Sequence, residues 1–157
     1  MRRLLLLLLA ASAGCSFAAD DPCASHRARY GPHPLTVAGA LALHAKESTP
    51  TDSDMQCLEK IWTPRDGTLA AAATRALLLV VSSHPDVAIA AAARRPSTYR
   101  EWLADAARYG IHDVNGEGKL LRSSITALIA ARPSDGRHEE ARKLLLDGLG
   151  AVQPFRF

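Results

Sequence analysis

Leu69-Ala70-Ala71-Ala72-Ala73-Thr74-Arg75-Ala76-Leu77-Leu78-Leu79-Val80-Val81 is the longest apolar stretch in the chain, and its reading decides the fold class. Only Thr74 and Arg75 interrupt it. The run is too long for an ordinary strand, and its alanines favour helix over sheet. A helix that is apolar nearly all round has to be covered on most sides, so this segment is expected at the centre of the fold. Asp66-Gly67-Thr68 introduces it, and Pro85 opens a short helix that reaches Arg94.

The same helical spacing extends in both directions. Upstream, Leu35, Ala38, Leu41, Ala42 and Ala45 mark one helix. After a break at Thr49-Pro50, Met55, Leu58, Ile61 and Trp62 mark another, with Asp52 as its expected N-cap. Downstream, Thr98 and Glu101 fit the capping box of a helix buried through Trp102, Leu103 and Ala106 and closed by Gly110. Leu121, Ile125, Leu128 and Ile129 define the next helix, which Pro133 ends. Asp135 opens the last one, carried by Leu144, Leu145 and Leu149, with Gly148 and Gly150 fraying its end. The expected fold is all-α, with six to seven short antiparallel helices in a helical-hairpin stack or irregular bundle. Residues 35–150 form its single domain, residues 20–34 an irregular lead-in rich in proline, and residues 151–157 a tail. The segment 93–97 is echoed at 130–134. An alanine- and arginine-rich composition accounts for that echo better than a repeat family does.

The first nineteen residues read differently. Arg2 and Arg3 precede an unbroken apolar run over residues 4–11, and Ser16-Phe17-Ala18 supplies small residues at a cleavage site. This is the charged, apolar and cleavage-region order of an export signal. The run falls short of the roughly 20 residues that span a bilayer. Cleavage after Ala18 or Ala19 is expected to release a protein into the periplasm or the exterior. The alternative rests on Ala11-Ser12-Ala13-Gly14-Cys15, which resembles a bacterial lipoprotein signal and implies acylation of Cys15, although Ser12 stands where leucine is usual.

Either route leaves Cys23 and Cys57. An even pair in an exported protein is most simply a disulfide. In the chain-entropy account, closing such a loop stabilises by about 4 kcal/mol. Loss of Arg2 and Arg3 also lowers the formal net charge of +3 to about +1. The clustered excess charge of a nucleic-acid-binding protein is therefore not expected. The locally basic run His26-Arg27-Ala28-Arg29-Tyr30 and the set Arg94, Arg95, Arg100 and Arg108 are the segments that could meet an acidic partner.

The sharpest local motif is Asp113-Val114-Asn115-Gly116-Glu117-Gly118-Lys119-Leu120, which resembles the start of an EF-hand calcium loop. Oxygen-bearing residues alternate, glycine holds the sixth position and an apolar residue the eighth. The resemblance implies Asp113, Asn115 and Glu117 as ligands. The twelfth position, normally a bidentate Glu, is Ser124, and a polar connection between two helices is the expected reading. No zinc-binding pair, nucleophile elbow or phosphate loop is present. No cofactor and no catalytic residue are assigned. An enzyme would need a site assembled in space from residues such as His44, His84, His112, Asp113 and Glu117. The expected function is that of a non-enzymatic protein-binding module, such as an inhibitor or immunity-type protein, partnered by another envelope or periplasmic protein. The alternative is a structural envelope protein anchored by lipid at Cys15.

Overall fold

The computed structural model describes residues 21–113 and 116–155. The export signal and Cys15, expected at residues 1–19, lie outside the described residues, as does Asn115. Eight helices follow one another: α1 (Ala24–Tyr30), α2 (Pro34–Glu47), α3 (Asp52–Trp62), α4 (Gly67–Ser83), α5 (Pro85–Arg94), α6 (Pro96–Tyr109), α7 (Glu117–Ala130) and α8 (Gly136–Gly150). Two strands of two residues each, β1 (Ile111–His112) and β2 (Pro154–Phe155), pair in parallel. The architecture is all-α, with one helix more than the spacing of apolar residues predicts. Among the described residues, no single helix is long and apolar enough to cross a membrane.

The apolar stretch forms the central helix, as its composition requires. Helix α4 packs against α2, α7, α3 and α5, and Ala73, Ala76, Leu77, Leu78, Val80 and Val81 are buried. Asp66 caps it by accepting hydrogen bonds from the Thr68 and Leu69 amides. This satisfies donors that an uncapped helix leaves without partners. The second layer, α6 and α8, lies over α5, and α8 also meets α7.

Four local expectations are corrected. Residues 20–34 are not wholly irregular: α1 forms between the Cys23 N-cap and Gly31, whose φ of +101° suits glycine. It buries none of its own residues, so it leaves no apolar periodicity to read. Helix α3 is capped by Thr51 rather than Asp52. The Thr51 hydroxyl accepts from the Asp54 amide and the Asp54 carboxylate accepts from the Thr51 amide, which makes a full capping box. Helix α6 begins at Pro96, ahead of the Thr98–Glu101 pattern, because proline suits the first turn and Tyr99 must already be buried. Residues 151–155 are not a free tail. The Ile111 amide donates to the Gln153 carbonyl, and Val152 is buried.

Two side chains also differ from their expected roles. Ile129 is 60% exposed instead of joining the apolar face of α7. Gly148 does not fray α8 but lets it approach α6. A Cβ on that residue would stand 2.6 Å from Leu103 Cδ1.

Candidate functional site

Cys23 and Cys57 are joined, with sulfurs 2.04 Å and Cα atoms 4.8 Å apart, and both are buried. Cys57 therefore lies inside the apolar core and not merely beside it.

Asp113, Glu117 and Ser124 of the calcium-loop motif are engaged with other groups of the protein. The Asp113 carboxylate accepts from the Gly118 amide at 3.0 Å, in the first turn of α7. Glu117, only 7% exposed, forms an ion pair with Arg75 of α4. The Ser124 hydroxyl, at the twelfth position, lies 2.9 Å from the carbonyl oxygens of both Leu78 and Leu120. Asp113 and Glu117 thus pin α7 to its neighbours. Among the described residues, no group of three His, Cys, Asp or Glu side chains is placed to hold a metal ion.

Of the other candidates, the His112 side chain lies outside the described ones. His84 Nε2 sits 3.0 Å from the Ala45 carbonyl at the end of α2. His26 Nε2 faces Asp54 Oδ1 at 3.2 Å, Arg27 pairs with Asp21, and the Arg29 guanidinium lies over the Tyr30 ring. Arg94 and Arg95 turn toward Asp52 and Glu59 and do not share a basic face with Arg100 and Arg108.

A concave feature lies between α4 and α6, and sequence reasoning did not bring its lining residues together as a site. Helix α6 packs on α8 and α5 and leaves the first turns of α4 largely uncovered. Ala70, Ala71 and Thr74 project too little side chain to fill the space. A groove of about 560 Å³ remains, floored by α4 and walled by Asp105, Ala106 and Tyr109 of α6. That volume is within the usual range for ligand sites, roughly 300–1,000 Å³. Trp62 and Arg65 close one end, and Ile111, Arg75 and Glu117 close the other.

Each charged group on the rim is held. Arg65 Nη2 lies 2.9 Å from Glu101 Oε2 and its Nε lies 3.2 Å from Asp105 Oδ2, while its guanidinium covers the Trp62 ring at 5.6 Å. The backbone at this residue is unusual. With φ at +54°, Arg65 is the one non-glycine in the left-handed region among the described residues, a conformation costing about 1–2 kcal/mol. Strain of this kind tends to gather at functional sites. Deeper in, Trp102 Nε1 donates to Thr74 Oγ1 at 3.1 Å, so that hydroxyl is committed to bracing α6 against α4. Among the described residues, the groove lining contains no serine, cysteine or histidine. It offers small apolar side chains, two aromatic rings and ion-paired arginines.

Sequence carried part of this signal: four successive alanines beside a lone Arg75 mark a helix face without bulk. Nothing local marked Arg65, whose role depends on a turn that brings it to α6.

The whole describes an all-helical protein with a disulfide at one edge and a groove between α4 and α6. No protein-family model, no curated protein and no solved structure matches the chain.

Proposed function

We propose that this is an exported protein that acts by binding another protein, in the manner of an inhibitor or immunity protein, and that the α4–α6 groove is where the partner docks. The observation that carries the reading is the groove itself, floored by alanine and edged by Arg65 and Arg75. Such a shape takes one or two bulky side chains of a partner segment against the alanine floor. The rim pairs, Arg65 with Asp105 and Arg75 with Glu117, then meet polar atoms on either side. Interfaces are commonly organised in this way, with an anchor in a pocket and a polar rim. The Cys23–Cys57 disulfide is compatible with an oxidising compartment and supports the export reading.

The test pairs the natural protein with Ala71→Trp. Ala71 is exposed on the groove floor, so the indole fills the space without entering the core. Capture from the native envelope is expected to retain a partner on the natural protein and to lose it on Ala71→Trp, with circular dichroism and melting temperature unchanged. Equal retention by both proteins would remove the groove from the interaction. Mass spectrometry of the mature N-terminus is expected to begin near Asp20. An acylated Cys15 would favour a lipid-anchored envelope protein instead.

A further inference from the structure

We propose that α1 is a latch released by thiol reduction: opening the Cys23–Cys57 disulfide frees residues 21–31 while α2 to α8 stay folded. The first observation is what holds α1. None of its own residues is buried, and it packs chiefly on α2. Apart from the disulfide, its side-chain ties to α3 are His26 to Asp54 at 3.2 Å and, from the preceding turn, Asp21 to Lys60 at 3.0 Å. Lys60 is half exposed, and such a surface pair adds little. A seven-residue helix does not persist alone in water. The covalent bond therefore supplies most of what keeps α1 in place.

The second observation concerns access. Cys23 and Cys57 are 3% and 0% exposed, so the closed protein shields the sulfurs. The element joined to them is also the least anchored in the fold, and weakly anchored segments open at low free-energy cost. In the open state a dithiol reductant, of the chemical class used by thioredoxin-like domains, attacks one sulfur. A mixed disulfide forms and the other sulfur leaves as a thiolate. The second thiol of the reductant then displaces the protein sulfur, so that the protein ends with two thiols and the reductant with one disulfide. The core does not need α1 to close, because α4 is covered by α2, α3, α5 and α7.

Amide hydrogen exchange on the full protein, read by mass spectrometry, tests this. With dithiothreitol under native conditions, and separately in Cys23→Ala, residues 24–31 are expected to lose at least tenfold in protection, and residues 69–83 to change by less than twofold. Cys23→Ala leaves Cys57 in its core position and removes the link together with one buried sulfur. Three results would overturn the proposal: protection over 24–31 persisting after reduction, protection over 69–83 falling in parallel or Cys23→Ala failing to fold, and a disulfide that resists dithiothreitol until the chain is denatured. The first would mean that non-covalent contacts suffice. The second would make the bond a staple of the whole fold, and the third would deny the opening of α1.

Discussion

Arg95 ties three helices together through one guanidinium. Its Nε meets Glu59 Oε2 at 2.5 Å, and its Nη2 lies 3.0 Å from Glu59 Oε1 and 2.9 Å from Asp52 Oδ1. Burial pushes the Glu59 carboxyl above its usual range, with Arg95 acting against that, and burial beside Glu59 raises the Tyr99 phenol well above its own. Removing the cation leaves a buried carboxylate without its counter-charge. Arg95→Ala is therefore expected to cost about 3 kcal/mol, measured by urea denaturation at pH 7. Asp52 has the opposite shift. Burial alone would raise it, but hydrogen bonds from Arg95, Gln56 and Arg94 prevail and hold it at about 2. A carboxyl whose folded pKa is depressed stabilises the fold above its unfolded pKa, near 3.8, and loses that contribution as pH falls toward 2. The natural protein should thus lose urea resistance between pH 5 and pH 2, and Asp52→Asn should lose less over the same interval. An equal loss in both would show that Asp52 is not a source of the acid sensitivity.

Among the elements, Gly148 is the sharpest test of packing. Helix α8 meets α6 where a Cβ would stand 2.6 Å from Leu103 Cδ1 and 2.8 Å from Leu103 Cβ. Gly148→Ala gains helix propensity but forces the two helices apart. The overpacking should win, for a net loss of about 1–2 kcal/mol by chemical denaturation. A more stable variant would mean that Leu103 can rotate clear. Elements were legible where one residue type settles them. Pro85 and the alanine-leucine run defined α5 and α4, and Asp135 marked the start of α8, where its carboxylate accepts from the His138 amide. Helix α1 was not legible, since its retention depends on Cys57, more than thirty residues away, and not on its own apolar side chains. The start of α6 was missed because a capping-box pattern competes there with proline, and the burial of Tyr99 decides between them.

At the scale of the whole molecule, the groove shows why the fold class was easier to read than the site. Periodicity reports which face of a helix is apolar, and that was enough to put α4 at the centre. It cannot report that α6 turns toward α8 and leaves Ala71 exposed on the floor of a groove. The disulfide was legible by elimination, as two cysteines remain once Cys15 is set aside. The Asp113–Glu117 segment stood out in the sequence as a cluster of oxygen-bearing side chains. Its partner Arg75 turns the cluster into a brace between α4 and α7.

The parallel pairing of Ile111 with Pro154 bears on how this protein can be handled in the laboratory. Ile111 lines the groove, so a handle joined directly after β2 starts close to the groove mouth. An affinity handle fused there, or a surface coupled through it, would crowd the very place where a partner is to be captured. Immobilisation through a cysteine-free side chain on the outer face of α8, such as Lys143, keeps that approach open. A failed pull-down from a C-terminally tagged protein would then say more about the handle than about the binding.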